Sequence, residues 1–253
     1  MTDAAPDALG VLDRITAVFE AFDGDDRGLG ISELALRAGL PKSTVSRIVA
    51  GLVRQRYLER DGALIHLGLR LFELGQLAEM PQELRIAALP VMAELRNATG
   101  ESVQLAIRDG AEMMCIAVMR ARAPAPSASR IGERAPLHAT ALGKVLLAHS
   151  PANEIEKILP GMPTEWAPDA TAELGRLKRE LAEIQRTGVA LESVESGHDI
   201  AGVASPVVFP SWGAIAALGL RGPTERFDPA RAASAVREAA HSVECRLSAN
   251  RGR

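Results

Sequence analysis

The chain has 253 residues, 47% of them apolar, with 29 basic against 32 acidic side chains and a formal net charge of -3. That length allows two domains, and the near-neutral balance names no partner by itself. No run of about 18 apolar residues offers a membrane span. The start MTDAAPDALG lacks the parts of a secretion signal, and two cysteines build no disulfide framework, so a cytoplasmic protein without membrane contact is expected.

The stretch VLDRITAVFEAF places Leu12, Ile15, Val18, Phe19 and Phe22 at helical spacing. DGDDRGLG breaks that helix, and ISELALRAGL reads as a second, short one. Ser32 is the expected N-cap, with Ile31 and Leu36 placed as a hydrophobic staple across it. Gly39 ends this helix and Pro41 suits the first turn of the next. In GLPKSTVSRIVAGLVRQ, Val45, Ile48, Val49 and Leu52 form an inward stripe. The opposite face carries Ser43, Thr44, Ser46, Arg47, Ala50 and Arg54, with Lys42 at its start. YLERDGALIHLG then reads as two short strands around an Asp61-Gly62 turn.

From Arg37 to Arg60 the only acid is Glu59, against Arg37, Lys42, Arg47, Arg54, Arg56 and Arg60, whereas Asp13 to Glu33 is acidic. A basic helix alone is more often a solvated face. A tight glycine turn, a basic polar face and a hairpin together spell a winged helix-turn-helix, whose third helix can enter a major groove of double-stranded operator DNA. Lys42, Ser43, Thr44, Ser46, Arg47 and Arg54 are the candidate DNA contacts.

LGLRLFELGQL and PQELRIAALPVMAELRNATG read as helices, the second with Pro90 inside it. SVQLAIRDGAEMMCIAVMRA reads as two strands around Asp109-Gly110, and APLHATALGKVLLAHS as a loop and helix. TAELGRLKRELAEIQRTG is an amphipathic helix closed by Gly188. VALESVES, AGVASPVVF and GAIAALGLRG follow as strands, the last two joined around Pro210-Ser211-Trp212. A closing helix is capped by Asp228, and SANRGR is a frayed tail. The mixed order predicts an α+β fold with helices covering a sheet. The expected division is residues 1–67, a winged helix-turn-helix; 68–80, a linker helix; and 81–253, a domain for effector binding and oligomerisation.

ISELALRAGLPKSTVSRIVAGLVRQRYLERD, PLHATALGKVLLA, GVALESVESGHDIAGVASPVV and GAIAALGLRGP resemble, in order and over nearly the whole chain, the IclR type of transcriptional regulator. The resemblance implies a GAF-like α/β effector domain, a homodimer or dimer of dimers, and a palindromic operator controlled by a small-molecule effector, often an organic acid. It also implies a ligand cavity bounded by Ala141, Leu142, Glu192, Gly202, Gly219 and Arg221. The chain departs from the family at Val194, Glu195 and Ser196, at Asp199, and at Gly202 in place of a frequent Cys. Gly219 and Arg221 replace two serines that hold a small acid in some members. The two glycines predict a larger cavity and an inward Arg221 predicts a carboxylate larger than glyoxylate or pyruvate, aromatic acids included. Strand alternation alone leaves inward and outward orientations of Arg221 equally open.

Other constellations carry less. The Gly143-Lys144 pair lacks the upstream Gly and following Ser or Thr of a phosphate loop, and Lys144 is expected at the surface or a helix start. Glu192, Glu195, His198 and Asp199 fit no metal-ligand spacing and read as exposed acids. His241 and Cys245 lack a second pair, and His138 lacks a nucleophile or orienting acid. An enzyme on this fold would need such a set, so neither catalytic residues, metal nor cofactor is expected. A protein-binding winged helix would predict an apolar or acidic face instead of a basic one.

Overall fold

A computed structural model of the chain describes residues 10–24, 26–121, 130–158, 170–192, 200–209 and 214–251. It divides into two compact units, Met1–Glu79 and Met80–Arg253.

In the first unit, α1 (Val11–Glu20) is followed by β1 (Leu29–Gly30), α2 (Ile31–Arg37) and α3 (Lys42–Arg54). The hairpin β2 (Leu58–Asp61) and β3 (Leu64–Leu67) and then α4 (Leu69–Gly75) complete it. The predicted stripes supply Val18, Val45 and Val49 to the core, where Leu34, Leu58 and Ile65 join them nearly inaccessible to solvent, but Leu12, expected in the first stripe, is 79% exposed. The α2–α3 turn depends on Gly39, whose φ of 63° is left-handed. That conformation lets Leu40 N–H reach Ala35 O at 3.1 Å and Gly39 N–H reach Leu36 O at 3.3 Å, satisfying carbonyls that the helix end would leave open. The hairpin loop is Gly62-Ala63, since Asp61 pairs with Leu64 as the last rung of the strand.

One local expectation fails. Ser32 is not the cap of α2: Gly30 is, and Leu36 is 76% exposed, so no staple forms. The reason is non-local. Leu29 and Gly30 pair with Ile65 and Leu64 of the wing, which holds Gly30 extended and starts the helix immediately after it.

The second unit is a six-stranded antiparallel sheet in the order β6-β5-β4-β9-β8-β7. Its strands are β4 (Ser102–Asp109), β5 (Glu112–Met119), β6 (Arg134–Pro136), β7 (Ala190–Glu192), β8 (Ile200–Phe209) and β9 (Ala214–Pro223). The helices α5 (Glu79–Thr99) and α9 (Pro229–Arg251) cover one face, where Val103, Leu105, Val203, Leu218 and Leu220 meet Met92, Val236 and Val243. The other face receives α6 (Ala141–Ala148) and α8 (Ala170–Thr187), with Ala106, Ala204 and Ala217 beneath Val145, Leu146 and Ile184. A further helix, α7 (Ala152–Ile158), and the short β6 are elements that the sequence pattern did not announce.

Asp228 caps α9 as expected, accepting from Ala230 and Arg231 N–H at 3.1 Å each. That helix runs on to Arg251, so the segment expected to fray is largely helical, with Leu247 buried against the sheet. Residues 122–129, Pro210-Ser211-Trp212 and Val194, Glu195, Ser196, His198 and Asp199 lie outside the described residues.

Candidate functional site

On α3 the polar residues lie opposite the packed ones. Val45, Val49 and Leu52 are buried; Lys42, Ser43, Ser46, Arg47 and Arg54 are exposed, and Thr44 is half-buried. With about 3.6 residues per turn, Ser43, Arg47 and Arg54 stand opposite the middle of the buried stripe, with Lys42 and Ser46 on one flank and Thr44 on the other. Among the described residues no ion pair holds Lys42, Arg47 or Arg54. Arg37, by contrast, is clamped by Asp26 and Glu33 at 2.8 Å each, and Arg56 faces Glu73 at 3.8 Å. Among the described residues, the charge left free in this stretch is therefore that of Lys42, Arg47 and Arg54 on the outer face of α3 and of Arg60 on the wing. Beside it runs a groove of about 450 Å³ floored by Ile15, Ile48, Leu52 and Tyr57. Arg14, Arg47 and Arg54 line it too, together with Thr44 and Gln55.

The second unit holds a partly open cavity. Ala141, Leu142, Glu192, Gly202, Gly219 and Arg221, drawn from α6, β7, β8 and β9, all line it. Four of these are buried, while Glu192 and Arg221 are partly open. The start of α6 is set by Thr140, whose hydroxyl accepts from Gly143 N–H at 3.0 Å. Strand pairing decides the direction of Arg221. It lies on the same side of β9 as Ala217 and Gly219, which face α6, while Leu218 and Leu220 face α5 and α9. Arg221 Nη2 lies 3.6 Å from Glu192 Oε1, and Arg221 Nε is buried with no hydrogen-bond partner.

The two glycines do not enlarge the cavity. A Cβ on Gly219 would lie 2.9 Å from Leu142 Cδ2, and one on Gly202 would lie 3.1 Å from Glu192 Oε2. Leu142 and Glu192 occupy the space beside the two glycines, leaving about 80 Å³, against roughly 300–1,000 Å³ for typical ligand pockets.

Sequence reasoning missed Gln104, Met113, Cys115, Glu133 and Thr140, which also line the cavity. Gln104 carried a usable signal, as a buried polar residue inside an apolar strand. Met113 and Cys115 face inward because a bulge at Leu105/Ala106 shifts the β4–β5 register, letting both Ile116 and Ala117 turn to the other core.

Cys115 is not poised for nucleophilic chemistry. Burial, aided by the Glu133 charge, pushes the Cys115 thiol up to about 12, so it stays protonated and non-nucleophilic. Burial first, and the Lys144 charge second, hold His138 below its ordinary range. Lys144 stands at the start of α6, one of its two expected positions, mostly covered and bonded to Glu180 at 2.6 Å. His241 and Cys245 lie on the exposed side of α9, 3.7 Å apart, with Glu244 3.3 Å from the ring. No set of three metal-ligating side chains comes together among the described residues. No described helix is long and apolar enough to cross a membrane.

Comparison with known proteins covers both units. Residues 11–62 match the model of the IclR helix-turn-helix domain, and residues 78–245 that of the bacterial transcriptional regulator IclR C-terminal domain. The chain is 32% identical over 226 residues to the HTH-type transcriptional regulator XynR of Escherichia coli K12, covering 88% of this chain and 90% of that protein. It is 31% identical over 254 residues to KdgR of the same organism, covering 99% and 95%. Among solved structures, an IclR homologue from Microbacterium hydrocarbonoxydans complexed with 4-hydroxybenzoate superposes with a TM-score of 0.83 at 30% identity, over 95% of this chain and 100% of that one.

Proposed function

Because the chain belongs to the IclR family of transcriptional regulators, we propose that it binds operator DNA as a homodimer through the outer face of α3 and is switched by a carboxylate held at Arg221. The observation that carries the effector half is the inward Arg221 guanidinium, with a buried Nε lacking a partner, in a cavity lined by the start of α6. A planar cation in that position suits one carboxylate, and desolvation strengthens the attraction. The similar protein complexed with 4-hydroxybenzoate makes an aromatic monocarboxylate a fitting first probe.

The DNA half rests on Lys42, Ser43, Thr44, Ser46, Arg47 and Arg54. Their free cations and short hydroxyls supply phosphate and base-edge contacts. One winged helix covers little DNA, so operator affinity needs a second copy. In the linker region Leu69, Phe72, Leu74 and Leu77 are 45–74% exposed and α4 buries nothing, as expected of a face that a second copy covers. Titration calorimetry of wild type and Arg221→Ala against 4-hydroxybenzoate, pyruvate and acetate tests the effector reading. The variant should lose at least tenfold in affinity for the acid that binds best. Equal affinity in both proteins would remove Arg221 as the anchor.

A further inference from the structure

Glu192, Gly202 and Arg221 stand in one row across three strands. Glu192 pairs with Gly202 between β7 and β8, and Gly202 with Arg221 between β8 and β9. Adjacent strands lie about 4.8 Å apart, so the outer two backbones are separated by about 9.6 Å. Side chains reaching toward each other over that distance must pass above the middle residue. Gly202 leaves the path open: a Cβ there would sit 3.1 Å from Glu192 Oε2 and 3.3 Å from Glu192 Cβ. With the path open, Glu192 brings Oε1 to 3.6 Å from Arg221 Nη2 and Oε2 to 3.4 Å from Ala141 N–H at the start of α6.

The chain has thus placed one of its own carboxylates between a guanidinium and a helix-start amide, the two groups that a carboxylate ligand would use. The seating is loose. The ion-pair separation is beyond hydrogen-bond range, and Arg221 Nε stays unpartnered. The remaining space of about 80 Å³ leaves little room beside the tenant.

We infer that Glu192 is a tethered stand-in for the effector, occupying its anion position until a monocarboxylate displaces it. This rests on the reading of the cavity as the effector site. A carboxylate on the same chain competes at high effective concentration, so it weakens every anion that binds there. Displacement frees both the charge of Arg221 and the volume above Gly202. The displaced Glu192 remains beside the site and repels a second negative charge, which selects monocarboxylates over dicarboxylates.

The test is titration calorimetry of the full chain as wild type, Glu192→Gln, Glu192→Asp and Arg221→Ala, with acetate, 4-hydroxybenzoate and succinate as probes. Glu192→Gln should bind at least one monocarboxylate about tenfold more tightly than wild type, and succinate should gain more than acetate. Glu192→Asp, one methylene too short to span the row, should gain less in the same direction. It carries the test should Glu192→Gln fail to fold. Unchanged or weaker binding to both Glu192 variants, or no binding of any probe to them, overturns the inference. If Arg221→Ala has still lost affinity relative to wild type, the cavity reading stands without it. If Arg221→Ala matches wild type, the cavity reading falls as well.

Discussion

Replacing Arg47 by alanine tests the proposed DNA contact, because among the described residues no hydrogen bond or ion pair depends on that side chain. Arg47 is exposed, opposite the buried stripe of α3, and free of ion pairs among the described residues. Alanine and arginine differ by only a few tenths of a kcal/mol in helix propensity, so the melting temperature should hold. A side chain reading a base contributes about 1–3 kcal/mol. A symmetric dimer carries the change twice, giving about 2–6 kcal/mol, or roughly 30-fold to about 10⁴-fold in operator affinity. A gel shift at fixed salt on the DNA upstream of the gene measures it. Repeating the titration over a range of salt separates the modes: loss of two phosphate contacts flattens the slope of log K against log salt by about 1.8, whereas loss of base contacts chiefly erodes sequence preference. Arg37→Ala is the control, since Arg37 is neutralised by Asp26 and Glu33 and should affect DNA binding little. Operator affinity of Arg47→Ala within twofold of wild type, in a folded protein, would refute the assignment of α3.

The exposed apolar side chains around α4 predict that Phe72→Asp weakens the dimer by about 3–6 kcal/mol, counting roughly 1.5–3 kcal/mol for each buried phenyl ring. Light scattering should then show a monomer where wild type is at least dimeric, and a monomeric wild type at micromolar concentration would reject the interface. At the start of α6, a Cβ on Gly143 would lie 2.4 Å from Leu137 O and 2.7 Å from Leu137 Cα. Gly143→Ala should therefore cost about 1–3 kcal/mol and lower the melting temperature in a circular-dichroism scan, while an unchanged melt would mean that the 137–140 loop yields freely.

What the sequence determined by itself was whatever depends on residues a few positions apart. The stripe of Val45, Val49 and Leu52, the left-handed stop at Gly39, the wing around Gly62, the β4–β5 hairpin and the Asp228 cap are set by helical periodicity, turn chemistry and local hydrogen bonds. The basic outer face of α3 was legible for the same reason: opposite a buried stripe, a helix has only solvent or a partner to face. The tertiary structure decided what depends on distant pairings. Gly30 took the cap from Ser32 because β1 pairs with the wing some thirty-five residues later. Arg221 turned inward because the β8–β9 and β4–β9 registers fixed the side of the sheet on which it stands. The cavity stayed small although two of its walls are glycine, because close packing filled each gap from elsewhere in the chain, with Leu142 over Gly219 and Glu192 over Gly202. A side chain missing from one strand shows in the sequence, but which neighbour takes its place depends on how the strands and helices pack.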